Sequence, residues 1–206
     1  TLAGGAGVDN LTGGTAADII TGAGGNDIIS GGTGVDTITG GAGNDTITGG
    51  SANDIITVDS GTDTVTDLGG ASGGESDVVV VSSGATLNAT NVVSFTATSA
   101  TQNNSTNAAN ATLTAKDGGA RTINVANATG SSKAFTIAGG DGADILTGGA
   151  GADIITGGAA VDTIVGGAEV DTITGGAGND IITAGTGNDI ITVDSGTDTV
   201  TDLGGA

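Results

Sequence analysis

Gly40-Gly41-Ala42-Gly43-Asn44-Asp45-Thr46-Ile47-Thr48 and Gly148-Gly149-Ala150-Gly151-Ala152-Asp153-Ile154-Ile155-Thr156 are two copies of one nine-residue pattern, Gly-Gly-x-Gly-x-Asp-x-aliphatic-x. The pattern recurs in register. Asp9, Asp18, Asp27, Asp36, Asp45, Asp54 and Asp63 form one series, and Asp144, Asp153, Asp162, Asp171, Asp180, Asp189 and Asp198 a second, so fourteen of the 23 acids share a period of nine. The eighth position is aliphatic in every copy: Leu11, Ile20, Ile29, Ile38, Ile47, Ile56 and Val65, then Leu146, Ile155, Ile164, Ile173, Ile182, Ile191 and Val200. A short fixed period of this kind marks a solenoid, in which each repeat buries its apolar face only by stacking on its neighbours.

The nonapeptide divides physically into a six-residue Gly-rich turn, where φ > 0 is accessible, and a three-residue strand rich in Ile, Val and Thr. Side chains alternate across a strand, so one aliphatic residue per repeat points inward and its two neighbours point out. Thr39, Thr48, Thr57, Thr174 and Thr183 follow the aliphatic slot and suit an exposed strand face. Ile19, Ile28, Ile55, Ile145, Ile154, Ile181 and Ile190 precede it, and these outward Ile residues predict lateral contact with another surface.

Composition narrows the chemistry. Among 206 residues there are 43 Gly and 2 aromatic side chains, so a core can be filled only by small aliphatics in a regular cross-section. The formal charge is −20, which disfavours nucleic-acid phosphate and anionic membrane surfaces and makes cations the natural partners. With no Cys and no His, thiolate and imidazole sites for zinc, copper or iron are excluded, and only hard oxygen ligands remain. Carboxylates and carbonyls on a pliable Gly-rich loop suit the variable coordination of calcium better than the rigid octahedron of magnesium. No His or Cys base accompanies any Ser, so no catalytic constellation is present and the expectation is a non-enzyme. No apolar run approaches the roughly 20 residues of a membrane helix. Thr1 in place of an initiator Met suggests an excerpt of a longer chain.

Three segments follow from the period: a first repeat array at 1–71, an interlude at 72–138 rich in Ser, Thr, Asn and Ala, and a second array at 139–206. The interlude is expected to be β-rich without metal sites, with strands at 77–82, 91–98, 111–115, 121–126 and 133–138 and a loop at 103–110. Its charges cancel, Glu75, Asp77 and Asp117 against Lys116, Arg121 and Lys133. Residues 53–71 and 188–206 are identical, an offset of 135 residues or fifteen nonapeptides, which predicts a tandem array.

The nonapeptide resembles the repeats-in-toxin, or hemolysin-type calcium-binding, family over residues 4–66 and 139–201. The resemblance implies two parallel β-rolls flanking a small β-rich module, an all-β fold with two nonapeptides per coil. It also implies calcium ions between turns one coil apart, held by sixth-position Asp carboxylates and by carbonyls of the turns, here Gly40, Gly41, Gly43, Gly148, Gly149, Gly151, Gly175, Gly176 and Gly178. The carried-over pairs are Asp9 with Asp27, Asp27 with Asp45, Asp45 with Asp63, Asp18 with Asp36, and Asp36 with Asp54. In the second array they are Asp144 with Asp162, Asp162 with Asp180, Asp180 with Asp198, Asp153 with Asp171, and Asp171 with Asp189, which makes ten sites at most. Ala16, Ala52, Ala160 and Glu169 replace the fourth-position Gly, and Ala23 and Ala184 are read as replacing the second; a β-carbon where φ > 0 is wanted costs about 1 kcal/mol. Val58-Asp59 and Val193-Asp194 stand where Gly-Gly is expected and suggest a terminating coil. The family implies secretion and folding outside the cell. Within it, the 135-residue period and the interlude's composition favour a structural segment of a bacterial surface layer, adhesin or extracellular fibre that self-associates. The alternatives are an accessory roll on a secreted hydrolase or toxin, and an ice-binding Thr ladder, the latter weakened because Ile replaces the first Thr in about half the repeats.

Overall fold

The structure, a computed structural model, describes residues 1–69, 77–97, 99–105, 111–116, 118–130 and 133–203. Glu75, Asp117 and residues 106–110 of the loop expected at 103–110 lie outside these residues. Every described regular element is a β-strand, and every strand pairing is parallel. Parallel neighbours need a crossover, and here each nonapeptide is half a coil: it leaves one sheet, turns, and enters the facing one.

With strands numbered in chain order, the N-terminal sheet has the order β1 (Leu2–Ala6), β3 (Ile19–Gly24), β5 (Thr37–Ala42), β7 (Ile55–Val58), β9 (Val78–Val81), β12 (Gln102–Asn103). Facing it is a shared sheet of ten strands. Its order is β2 (Asn10–Gly14), β4 (Ile28–Thr33), β6 (Thr46–Ser51), β8 (Gly61–Val65), β10 (Ala85–Val92), β13 (Ala111–Ala115), β15 (Thr136–Gly140), β17 (Ile154–Ala159), β19 (Thr172–Ala177), β21 (Ile190–Thr192). The C-terminal sheet has the order β11 (Ser94–Thr96), β14 (Thr122–Asn124), β16 (Ile145–Thr147), β18 (Thr163–Ala168), β20 (Ile181–Thr186), β22 (Thr199–Leu203).

The aliphatic slot fills the space between facing sheets. Ile20, Ile29, Ile38, Ile47, Ile56 and Val65 are buried, as are Leu146, Ile155, Ile164, Ile173 and Ile182, while Leu11, Ile191 and Val200 at the outer coils are partly buried. Most strands in the arrays are longer than the three residues expected, although β16 and β21 keep to three. β4 runs from Ile28 to Thr33, through the Gly pair, because Gly31 continues the inward alternation and Gly32 pairs in register with Gly50. The turn proper is therefore about three residues, and the Asp closes it.

The interlude continues the stack. In the arrays, residues eighteen apart sit side by side, as Ile29 beside Ile47. Through the interlude the coil lengthens: Ile55 pairs with Val78, Asn88 with Thr112, and Ser94 with Thr122. From β9 to β11, and again from β12 to β14, the chain visits all three sheets in turn, so these coils are three-sided. A three-sided coil encloses a wider interior, and the chain's two Phe residues, Phe95 and Phe135, are both fully buried there with Leu87, Leu113 and Ile123. Strand β10 at 85–92, unexpected from sequence, lies within this wider section.

These coils also turn the roll. Residues 53–65 form β7 on the N-terminal sheet and β8 on the shared sheet, whereas the identical residues 188–200 form β21 on the shared sheet and begin β22 on the C-terminal sheet. One interlude thus moves an identical sequence one sheet further round the axis. The shared sheet alone passes through both arrays, and its outward register is unbroken: Asn10, Ile28, Thr46, Thr64, Asn88, Thr112, Thr136, Ile154, Thr172 and Ile190 stand side by side.

The wide interior depends on its aromatic fillers. Phe135→Ala should destabilise the chain by about 3–5 kcal/mol, against about 0.5–1.5 kcal/mol for Ile47→Val in a narrow coil, as read from urea unfolding of each full-length variant.

Candidate metal centres at the coil edges

The sixth-position Asp residues line the two edges of each roll, where the turns stack. Asp27, Asp36, Asp45, Asp54 and Asp63 are buried, as are Asp144, Asp153, Asp162, Asp171 and Asp180. Asp9, Asp18, Asp189 and Asp198, in the outer coils, are half-buried. Within a coil edge the acids form a ladder. The Asp9 N–H donates to Asp27 Oδ1 at 2.8 Å, Asp27 N–H to Asp45 Oδ1 at 2.8 Å, and Asp45 N–H to Asp63 Oδ1 at 2.9 Å. On the other edge Asp18 N–H donates to Asp36 Oδ1 and Asp36 N–H to Asp54 Oδ1, both at 2.8 Å. The second array repeats the arrangement through Asp144, Asp162, Asp180 and Asp198, and through Asp153, Asp171 and Asp189. All ten expected pairs are therefore neighbours along an edge.

One carboxylate oxygen is thus satisfied and the other is not. Oδ2 of Asp27, Asp36, Asp45, Asp54, Asp63, Asp144, Asp162, Asp171, Asp180 and Asp189 is buried without a hydrogen-bond partner. Burying an unpaired charged oxygen is costly, and ten of them in one chain call for a cation. Asp153 differs, because its Oδ2 accepts the Gly149 N–H at 2.7 Å.

The second donor is a main-chain carbonyl. A β-carbon on Gly22 would collide with both Asp27 Oδ2 and the carbonyl oxygen of Gly40, one coil on, so both oxygens face one small space over a glycine. The same holds at Gly31 (Asp36, Gly49 carbonyl), Gly139 (Asp144, Gly157 carbonyl), Gly157 (Asp162, Gly175 carbonyl) and Gly166 (Asp171, Ala184 carbonyl). Over Gly4, Gly13 and Gly148 the Asp and the carbonyl also converge, but Asp9 and Asp18 are less fully buried and Asp153 is already bonded. Over Gly40, Gly49 and Gly175, no carbonyl converges with the carboxylate of Asp45, Asp54 or Asp180; Val58, Asp67 and Val193 are the residues one coil on. First-position glycines are therefore required for space rather than for φ.

The expected carbonyl set is sorted by this geometry. Gly40 and Gly175 aim their carbonyls into such a space, and Gly148 contributes the space itself. The carbonyls of Gly41, Gly149 and Gly176 instead accept N–H bonds from Ser60, Ala168 and Ser195. Gly43 and Gly178 direct theirs toward the fourth-position glycines Gly61 and Gly196 one coil on, and Gly151 packs on the Lys133–Ala134 backbone. Of the replacements, Ala23, Ala52, Ala160 and Glu169 hold φ of 84°, 88°, 71° and 73°, the left-handed strain expected. Ala16 and Ala184 do not adopt positive φ; Ala184 stands in the first place of its pair and not in the second as expected, and there space and not φ is restricted.

Two acids that the nine-residue period does not reach complete the first array. Asp77, 23 residues beyond Asp54, takes the next rung: Asp54 N–H donates to its Oδ1 at 2.9 Å and Gly69 N–H to its Oδ2 at 2.8 Å. Asp67 accepts from Gly49 and Gly50 N–H, both at 3.0 Å. Both carboxylates are saturated by N–H groups, so they close edges without an ion. The other edge is closed by apolar side chains. Leu87 pairs with Asp63, Ala111 with Leu87, and Phe135 N–H donates to Asp153 Oδ1, so Leu87, Ala111 and Phe135 hold the rung positions through the interlude.

Stacking like charges in a dry edge raises their proton affinity. Asp54 and Asp153 are pushed up to about 7, and Asp63, Asp162 and Asp171 to about 6, in each case first by burial, with neighbouring carboxylates adding to it. Asp45 and Asp144 are also raised, first by burial. Among the described residues no three acidic side chains converge on one point, so an ion here would draw on main-chain carbonyls beside a carboxylate. That all-oxygen, anionic, glycine-lined donor set fits calcium.

The family model for the RTX calcium-binding nonapeptide repeat (4 copies) matches the chain over residues 3–38, 30–65, 138–173 and 165–200. No curated protein matches it.

The raised carboxylates set a pH dependence whose sign is fixed. Protons bind the metal-free folded edge more tightly than the unfolded chain, so their stabilisation is full below about pH 4 and lost as pH rises through about 6–7. Without metal, β signal in circular dichroism should therefore be greater at pH 5 than at pH 8. With metal, the calcium midpoint should rise as pH falls below 6, because protons and calcium compete for the same oxygens.

Proposed function

The chain belongs to the RTX calcium-binding nonapeptide-repeat family, and from that premise we propose that it is a calcium-stabilised structural segment of a large secreted bacterial surface protein. Its repeats bind calcium. The observation that carries the proposal is the row of buried Oδ2 atoms without hydrogen-bond partners, which bound cations would neutralise. Asp27, Asp36, Asp144, Asp162 and Asp171, with the carbonyls of Gly40, Gly49, Gly157, Gly175 and Ala184, would hold the best-formed sites. Bound there, calcium supplies charge neutralisation and a bridge between consecutive coils.

The role is architectural. A chain whose edge carboxylates repel one another without calcium is suited to stay unfolded where calcium is scarce and to fold where it is millimolar, which supports a location outside the cell. The saturated caps Asp67 and Asp77 and the apolar rungs of the interlude give each array a defined, ion-free inner end, as expected of a spacer built from repeating units.

Two measurements test this. Asp162→Asn should raise the calcium midpoint for folding more than Asp9→Asn does, because Asp162 is buried over a complete carbonyl partner and Asp9 lies in the open outer coil. In the native host, protease added to intact cells should degrade the parent protein; full protection inside the cytosol would overturn the extracellular assignment.

A further inference from the structure

The fold leaves one broad surface unaccounted for, the outward face of the shared sheet. It carries two columns of side chains across ten strands. The first runs from Asn10 to Ile190 as described above. The second starts with Thr12, Ser30 and Thr48, continues through a Thr48–Thr66 hydroxyl contact of 2.8 Å, and resumes as Thr114, Ala138, Thr156, Thr174 and Thr192. Neither column contains a charged residue, although the chain as a whole carries −20. Ile28, Ile154 and Ile190 stand on this face with 53%, 42% and 59% of their surface exposed.

We propose that this face is an isologous interface between two copies of the chain in its calcium-loaded form. The proposal deepens the structural reading above by naming the surface through which the segment associates, and it rests on that reading only for the supposition that association occurs. Three arguments select the occupant. Charge permits a copy to approach face to face, because the two columns oppose no like charges. Area selects the face: ten strands at about 4.8 Å span roughly 43 Å, and two outward columns give roughly 600 Å² per copy, or roughly 1,200 Å² in all, which reaches the range of specific interfaces. The six-stranded N-terminal and C-terminal sheets fall short of that range, although Ile19, Ile55, Ile145 and Ile181 are exposed on them.

Pattern supplies the symmetry. Ile28 is second from the amino-terminal end of its column, while Ile190 and Ile154 are first and third from the other end. A two-fold axis through the middle of the face therefore sets Ile28 of one copy against Thr172 of the other, seated between Ile154 and Ile190. The same operation repeats the contact at the opposite end, as a closed two-fold interface must. Thr112 then lies near the axis, close to its own symmetry mate.

Sedimentation velocity of the full chain in millimolar calcium, over a concentration series, tests the proposal. The wild type should dimerise. Thr112→Lys places two like charges near the axis and should weaken dimerisation at least about tenfold, and the combination of Ile28→Thr, Ile154→Thr and Ile190→Thr should weaken it similarly. The combination of Ile19→Thr, Ile55→Thr, Ile145→Thr and Ile181→Thr, on the other two sheets, should leave it unchanged. Circular dichroism during calcium titration checks that each variant folds as the wild type does. A chain that folds on calcium but stays monomeric would overturn the interface and leave the calcium role standing. A dimer broken by the four-Ile variant and not by Thr112→Lys would place the interface elsewhere. A monomer that arrests ice growth would assign the face to ordered water.

Discussion

The fold depends on a carboxylate with one satisfied oxygen and one bare one. Ladder acids such as Asp45 and Asp180 are anchored by an N–H from the coil before, which fixes the side chain inside the turn while Oδ2 stays buried without a partner. Anchoring and orphaning are the same event. The hydrogen bond that stacks the coils is what strands a charge in a dry edge, so the geometry that defines the roll also makes it unstable without a cation. Coil packing offers little to offset this, because each nonapeptide of the arrays contributes one aliphatic side chain to the core.

The interlude solves the same stacking problem by other means. Leu87, Ala111 and Phe135 take rung positions that an Asp would occupy, and the coil widens until its interior can be filled with Phe95, Leu113 and Ile123. Asp77 and Asp67 remain as acids but have both oxygens bonded to N–H groups. Hydrophobic burial replaces the ion. Because these coils are three-sided, they also redirect the roll by one sheet, which is why identical sequence at 53–65 and 188–200 lies on different pairs of sheets.

The arrays were legible in the sequence because their period is exact in residues: nine sets both the inward Ile and the edge Asp, and eighteen sets the neighbour. Where spacing changes, so does legibility. Asp77 escapes a nine-residue reading because it follows Asp54 by 23, and β10 escapes because its inward residues include Ala85 and Ala89, which carry little apolar signal. The assignment of carbonyls to the first-position glycines, and not equally to the second and fourth, is a matter of which way a peptide faces between two coils. No residue type encodes that. Nor does sequence alone reveal that one sheet passes through all segments, since that follows from how a three-sided coil joins two two-sided ones.

The central claim is that calcium holds the arrays and apolar packing holds the interlude. Hydrogen exchange of the full chain, resolved by peptide, addresses both halves at once. In excess chelator at pH 8, amides of β3–β6 and β17–β20 should exchange as in an unfolded chain, while those of β10 and β13 stay protected; millimolar calcium should then protect all of them. Arrays that remain protected in chelator at that pH would contradict the account.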